Sequence, residues 1–423
     1  MSGNLPDRAG SGMKSYSRMS NPLRIRTRSL RNMFGAAALA LCCQPATAQQ
    51  AAERPEDVAA AFKAFFLERI AAEHVTGAAF AIATPDGIVG TGAAGFTDTS
   101  RKQRVDENTV FRVASVSKTF AAGLAGVLVQ EGQFSWDDRV VDYVPGFRIK
   151  GDSKRVRILD LLGQSTGLVP HAYDNLLEEG VPLEQIEQRY RELSYICPPG
   201  ECYSYQNSIF SLIEPVIENT AAQPYERLME EKIFRPLDMQ TASIGYEALI
   251  NSPNYARPHV KSGGQWKTVA VKPNYYRVAP AAGVNASALD MGKWLSAQLG
   301  GQPRVLDPAV IATLTQPRVA TTRDRYREHW RDVLSEAHYG LGWRIYRLGD
   351  HEIAYHSGWV SGYRADIAWS ASHGIGIAVL MNVEGNSISE LTTTFWRMAF
   401  EQLPPAAGQA QRPLVAAAPP RTP

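Results

Sequence analysis

The chain has 423 residues, with 44 Lys and Arg against 42 Asp and Glu and a formal net charge of +2 at pH 7. This balance lacks the basic excess typical of proteins that bind nucleic acids or anionic membrane surfaces, so neither partner is expected. The length is enough for one large folded unit with two lobes. No internal repeat is evident, and we expect a monomer.

The first 48 residues have the three parts of an export signal. Four arginines lie between residues 24 and 31, an apolar run covers residues 33–41, and a small-residue site ends at Ala48. The apolar run is too short to remain as a membrane span. We therefore expect a signal peptide over residues 1–48, a periplasmic or secreted protein, and no permanent membrane anchor.

Apolar side chains predict the elements at the two ends of the mature chain. Between Val58 and Ile70 they recur at helical spacing, which predicts an amphipathic helix. Residues 78–83 and 88–92 flank Pro85-Asp86-Gly87 and predict a strand, a turn and a strand. The same patterns later predict a hairpin (364–369 and 375–381) and a closing helix (388–398).

Strands at both ends with a helical middle predict the lobes of a single folded unit over residues 49–403. An α/β lobe would combine residues of about 55–119 with those of about 282–403. A mainly helical lobe of about 120–281 would be inserted between them. Residues 404–423 are rich in Ala, Pro and Gln and lack apolar periodicity, so we expect a disordered tail.

Ser115-Val116-Ser117-Lys118 precedes a long apolar helix and is the first candidate for catalytic chemistry. Residues three apart on a helix share one face, so the Lys118 amine would lie beside the Ser115 hydroxyl. A serine becomes a useful nucleophile when a neighbouring group takes its proton. Taken alone, the four residues favour a helix-capping serine followed by a solvated lysine, and the catalytic interpretation depends on motifs further along the chain.

Two further triplets follow in order: Tyr205-Gln206-Asn207, and His356-Ser357-Gly358. With Ser115-x-x-Lys118, they resemble the serine hydrolase family of class C β-lactamases, penicillin-binding D,D-peptidases, D-aminopeptidases and related esterases. The resemblance extends from about Val58 to Leu403. It implies a β-lactamase/transpeptidase-like fold, in which an antiparallel sheet flanked by helices carries an inserted helical lobe and the active site lies between the lobes.

The resemblance also implies roles for the matching residues. Ser115 would attack a carbonyl, and Lys118 and Tyr205 would together accept its proton. Asn207 would donate a hydrogen bond to the substrate and orient Lys118. The backbone N–H groups of Ser115 and Trp359 would form the oxyanion hole.

The third triplet would bind the remainder of the substrate. Ser357 would hydrogen-bond a substrate carboxylate, and Gly358 would leave room for the substrate along the strand edge. His356 stands where class C β-lactamases usually have lysine. We expect it to be a titrating cation beside that carboxylate, so that KM for carboxylated substrates falls between pH 8 and pH 6.

These residues predict a serine acyl-hydrolase with an acyl-Ser115 intermediate. A class C-like β-lactamase is favoured, ahead of a D,D-peptidase or D-aminopeptidase, an esterase, and a penicillin-binding sensor that turns over slowly. Arg112 and Ala114 depart from the Glu and Gly that class C enzymes tend to have before the nucleophile. The substrate would be a small β-lactam or a D-amino-acid peptide or ester, and no cofactor is implied.

Three other patterns in the sequence concern disulfide, nucleophile and metal chemistry. Cys197 and Cys202 flank a turn-like segment, and export favours a disulfide between them over two buried thiols. Ser165 lies in a G-x-S-x-G sequence typical of α/β-hydrolase nucleophiles, but Pro170 follows too closely for that motif's helix. His351 and His356 are five residues apart, which differs from the four-residue spacing of zinc-binding helices, so no metal site is predicted.

Overall fold

The computed structural model describes residues 54–100 and 102–405. The export signal predicted over residues 1–48 lies outside the described residues, as does nearly all of the predicted tail. Within the two described ranges, no helix combines the length and the apolar character that crossing a membrane requires.

Helices and strands are mixed along the described residues. The helices are α1 (Pro55–Ala72), α2 (Ser117–Gln130), α3 (Val140–Tyr143), α4 (Ile158–Leu162), α5 (Asp174–Glu179), α6 (Leu183–Gln188), α7 (Ile213–Ala221), α8 (Tyr225–Met229), α9 (Tyr246–Ile250), α10 (Ala279–Ala282), α11 (Ala288–Gln298), α12 (Pro308–Leu314) and α13 (Ser387–Gln402). The strands are β1 (Gly77–Thr84), β2 (Gly87–Gly95), β3 (Phe111–Arg112), β4 (Ser243–Ile244), β5 (His259–Ser262), β6 (Gln265–Thr268), β7 (Val284–Ala286), β8 (Val319–Ala320), β9 (Glu336–Tyr339), β10 (Arg344–Leu348), β11 (His351–Val360), β12 (Tyr363–Ser370) and β13 (Ile375–Met381).

The large sheet is antiparallel in the order β2-β1-β13-β12-β11-β10-β9-β8. Its strands come from the two ends of the described chain, as predicted. The predicted opening and closing helices are confirmed as α1 and α13, and the two predicted hairpins as β1–β2 and β12–β13. The antiparallel sheet with flanking helices confirms the fold class.

Both faces of this sheet are covered. This explains why β1 is apolar along its whole length. Alternate residues of a strand point to opposite faces. On one face, Phe80 packs against Phe62 of α1 with ring centroids 5.0 Å apart, and α13 lies on the same side. On the other face, Ala79, Ala81 and Ala83 join the core of α2 and α11. Since both sides are buried, apolar residues occupy every position.

The middle of the chain is mostly short helices, but it also contains strands that the sequence did not predict. Strands β3, β7 and β4 form a small sheet, and β5 and β6 form a hairpin. The sequence predicted a helical and irregular segment between residues 120 and 280, and β4 and this hairpin are strands within it that were not predicted. Most of the hairpin's side chains are exposed or half-buried, so they lack the apolar alternation that marks a strand. The division into two lobes at the predicted boundaries stays a prediction.

Candidate active site

Ser115 lies in a single 3-10 turn (Ala114–Val116) that leads directly into α2. Ser117 fixes this turn, because its Oγ donates to Ala114 O at 2.6 Å and accepts from Val284 N at 2.9 Å. Ala114 has a left-handed backbone with φ of 50°. The turn leaves Ser115 half-buried at the wall of a cleft of about 1400 Å³.

Lys118 is fully buried one turn along from Ser115. Its Nζ lies 3.3 Å from Ser115 Oγ, 2.8 Å from Asn207 Oδ1 and 3.1 Å from the backbone oxygen of Ala281. Burial lowers the pKa of Lys118, while the neighbouring Tyr205 and Asp174 act in the opposite direction. A lysine that loses its proton more easily than usual, in contact with a serine hydroxyl, can serve as a general base.

Tyr205 and Asn207 reach the cleft from a loop that is held by Gln164. Gln206 N donates to Gln164 Oε1 at 2.7 Å, and Gln164 Nε2 donates to Gln206 O at 3.0 Å. The loop places the Tyr205 ring 4.7 Å from Lys118 Nζ, measured to the ring centroid. The structure thus brings Ser115, Lys118, Tyr205 and Asn207 together.

Ser165 does not face the cleft. It is 4% exposed, its Oγ lies 3.5 Å from Asp160 O, and it follows a helix, α4, rather than a strand. The nucleophile position of α/β-hydrolases requires an exposed serine at a strand-to-helix turn. Its neighbour Gln164 instead supports the loop that carries Tyr205.

The structure corrects the role predicted for His356. The side chain is fully buried, and both ring nitrogens have partners: Nδ1 donates to Ser357 O at 3.0 Å, and Nε2 accepts from the Tyr339 hydroxyl at 3.1 Å. Burial lowers the pKa of His356 well below 6.5, and the positive charges of Arg344 and Lys118 lower it further. His356 is therefore neutral and does not line the cleft.

Arginines supply the positive charge that His356 lacks. Arg327 Nη2 lies 3.4 Å from Ser357 Oγ, and both residues line the cleft. Arg344 also lines it, is ion-paired with Asp324, and lies 5.7 Å from the ring centroid of Tyr205. No local sequence pattern distinguishes these two arginines from the other arginines of the chain, so the sequence did not predict them.

Gly358 also has a packing role that the sequence did not predict. A Cβ at this position would lie 2.1 Å from Val113 O and 3.2 Å from Ala114 Cβ. The close contact joins β11 to the turn that holds Ser115. Strand β10 pairs with β11 only as far as Tyr355. At residues 356–360, the edge of β11 on that side is therefore not paired with β10. Trp359 is 65% exposed and lines the cleft beside this edge.

The remaining candidates concern covalent and metal chemistry. The structure joins Cys197 and Cys202 by a disulfide bond, three residues before Tyr205. His351 and His356 both lie on β11, where an odd separation directs side chains to opposite faces of the sheet. In the described ranges, no group of His, Cys, Asp and Glu side chains is arranged to hold a metal ion.

Comparison with known proteins agrees with this architecture. Protein flp of Staphylococcus aureus (strain COL) is 23% identical over 334 residues, which is 75% of this chain and 62% of that protein. The chain thus spans about three fifths of the length of this curated relative. The octameric penicillin-binding protein homologue of Pyrococcus abyssi has a TM-score of 0.69 and 21% identity, covering 82% of this chain and 79% of its own.

EstCE1, described as a hydrolase with promiscuous acyltransferase activity, has a TM-score of 0.68 and 16% identity, covering 82% of this chain and 99% of its own. At these identities, the two solved structures show a shared fold. Residues 62–396 match the sequence model of the Beta-lactamase family, which is most of the chain. The chain is therefore a member of the Beta-lactamase family of hydrolases.

Proposed function

We propose that the protein is a serine acyl hydrolase that works through an acyl-Ser115 intermediate. The observation that carries the proposal is the fully buried Lys118, whose Nζ lies 3.3 Å from Ser115 Oγ. Lys118, together with Tyr205, would take the Ser115 proton as the hydroxyl attacks a carbonyl, and would return it to the leaving group. Water would then release the acyl group.

The oxyanion hole would consist of the backbone N–H groups of Ser115 and Trp359. The contact between Gly358 and Val113 supports this assignment, because it holds β11 against the turn that contains Ser115. The edge of β11 that β10 leaves unpaired would receive an extended substrate as an added strand. Two backbone donors fixed in this way are typically worth about 10²–10³ each in rate.

We further propose that the substrate carries a carboxylate. Arg327 has no acidic partner among the ion pairs of the described residues, and its guanidinium lies beside Ser357. A guanidinium stays charged throughout the physiological pH range and binds carboxylates in a forked geometry. A β-lactam amide is the substrate class that we favour, and a D-amino-acid peptide is the second.

The test is intact mass over time after the full-length protein is mixed with benzylpenicillin. An adduct that forms on the protein and clears while penicilloate accumulates would support the β-lactamase. A persistent adduct would indicate a D,D-peptidase or a sensor. An absent adduct would point to an aminopeptidase or an esterase.

Two variants identify the nucleophile in the same measurement. Ser115→Ala should form no adduct, whereas Ser165→Ala should behave like the wild type, because Ser165 is buried away from the cleft. The opposite pattern would overturn the site assignment.

We also propose that the chain is exported. The disulfide between Cys197 and Cys202 supports this location, because such bonds persist mainly in oxidising compartments. Cell fractionation with N-terminal sequencing should find the protein outside the cytosol and beginning at residue 49. A protein that retains residues 1–48 in the cytosol would contradict the proposal.

A further inference from the structure

The side-chain amide of Asn207 lies between two charged groups. Its Oδ1 accepts from Lys118 Nζ at 2.8 Å, and its Nδ2 donates to Asp174 Oδ2 at 2.8 Å. A carboxylate only accepts hydrogen bonds, so Asp174 permits only the orientation in which Asn207 Nδ2 faces it and Oδ1 faces Lys118. If the amide turned by half a rotation, its NH₂ would face Lys118 and the carbonyl oxygen would face the carboxylate.

Asp174 is placed for this task at the first position of α5. The same Oδ2 also accepts from His171 Nδ1 at 2.8 Å, so the carboxylate is held from two sides. The Asp174 side chain is only 13% exposed, and its Oδ1 is buried without a hydrogen-bond partner. Burying an incompletely satisfied carboxylate costs free energy, and no lysine or arginine of the described residues forms an ion pair with it. The clearest benefit that offsets this cost is the fixed orientation of the Asn207 amide.

We propose that Asp174 is a positioning residue that holds Asn207 and, through it, the Lys118 amine beside Ser115. The inference rests on the proposed function, because it concerns the groups that would move the Ser115 proton. It assigns to Asp174 no contact with the substrate. The chain of contacts runs from His171 through Asp174 and Asn207 to Lys118.

The charge of Asp174 has a second, measurable consequence. Burial lowers the pKa of Lys118, Tyr205 and Asp174 raise it, and Arg344 lowers it. Loss of the Asp174 charge should therefore lower the pKa of Lys118 further. Since acylation requires a group that can accept a proton, the acidic limb of the pH–rate profile should move to lower pH.

The experiment measures labelling of the full-length protein by a fluorophosphonate probe between pH 5 and pH 10. In this reaction the Ser115 oxygen forms a bond to phosphorus, the phosphorus–fluorine bond breaks, fluoride leaves, and the serine proton passes to Lys118 or Tyr205. The key variant is Asp174→Asn. The matched control is Glu179→Gln, which removes one negative charge from an exposed side chain at the other end of α5.

An amide at position 174 could either accept or donate, so Asp174→Asn would remove the charge and no longer fix the orientation of Asn207. We expect it to lower the plateau of the second-order labelling rate by about 10- to 100-fold, the magnitude of a hydrogen bond to a charged group. Its acidic limb should move to lower pH, while Glu179→Gln should match the wild type. Asp174→Glu keeps the charge but displaces the carboxylate, so it should lower the plateau with the limb unmoved. This variant carries the test if Asp174→Asn does not fold, as judged by circular dichroism.

A double variant separates positioning through Asn207 from an independent effect. Asp174→Asn combined with Asn207→Ala should label no more slowly than Asn207→Ala alone. Additive losses, or a wild-type plateau and limb in Asp174→Asn, would overturn the inference while leaving the proposed function intact. Failure of the wild-type protein to label at Ser115 would instead overturn the proposed function, and the inference with it.

Discussion

The two walls of the cleft each contain a cation, but they use different chemical groups. One wall is the side formed by α2, called here the helical wall. There, Lys118 contacts a hydroxyl, an amide oxygen and a backbone oxygen, and no carboxylate touches it directly. The other wall is the side formed by β10 and β11, called here the strand wall. There, Arg344 is ion-paired with Asp324, and Arg327 lies beside Ser357. An amine can give up its proton, whereas a guanidinium cannot. Under the proposed function, proton transfer and fixed charge would therefore fall to opposite walls.

Replacement of Lys118 on the helical wall by arginine should have the largest effect on the acylation rate. Lys118→Arg keeps a positive charge near Ser115 but removes the group that can become neutral. We expect the acylation rate to fall by about 10³-fold, within the range for loss of a general base. Stopped-flow measurement with a chromogenic β-lactam or ester would show it. The reciprocal variant Arg344→Lys should retain more activity, and equal losses would contradict the division between the walls.

The contact that joins the walls gives the second prediction. Gly358→Ala would bring a Cβ to 2.1 Å from Val113 O, so β11 or the Ser115 turn must move. We expect the free energy of unfolding to fall by about 2–3 kcal/mol, as for an overpacked core. Urea denaturation would measure it. Gly146→Ala is the control, because a Cβ there meets no atom within 4 Å and its φ is not positive; a similar loss in both variants would contradict the contact.

The fold was more predictable than the partners inside the site. Apolar periodicity identified α1, the first and last hairpins and α13. Each of these elements places apolar side chains in the core between the sheet and the helices that cover it. Spacing placed Lys118 beside Ser115, since the two residues are one helical turn apart. Local patterns of this kind depend only on neighbours in sequence.

Burial and long-range contacts were not predictable in the same way. His356 was expected to gain charge between pH 8 and pH 6 because of its residue type, but full burial favours the neutral ring, and both ring nitrogens have hydrogen-bond partners. Asp174 meets Asn207 across 33 residues of sequence, and Arg327 meets Ser357 across 30. Such pairings depend on how the segments pack, which no local motif encodes.

The strand wall provides the third prediction. Arg327→Gln should raise KM for carboxylated substrates by about tenfold, in the range for a partly exposed charge-assisted hydrogen bond, and should leave KM for a neutral ester unchanged. Arg325→Gln, an exposed position on the same turn, is the control. Because His356 stays neutral, KM for carboxylated substrates should be flat between pH 6 and pH 8. A fall in KM towards pH 6 that disappears in His356→Gln would restore the role first predicted for His356.

The smallest effect is expected at the turn itself, where the two walls meet. Ala114 has a φ of 50°, a left-handed conformation that costs an L-residue about 1–2 kcal/mol and costs glycine little. Glycine also adds about 0.5–1 kcal/mol of backbone entropy to the unfolded chain. Ala114→Gly should therefore raise the free energy of unfolding by less than about 1 kcal/mol.

The control for this turn has the opposite sign. Ala60→Gly, at an exposed position inside α1, should lower the free energy of unfolding by about 1 kcal/mol, because a helix interior favours alanine. Urea denaturation of both variants compares the two backbones directly. A loss of stability in Ala114→Gly that equals the loss in Ala60→Gly would mean that the turn bearing Ser115 is unstrained.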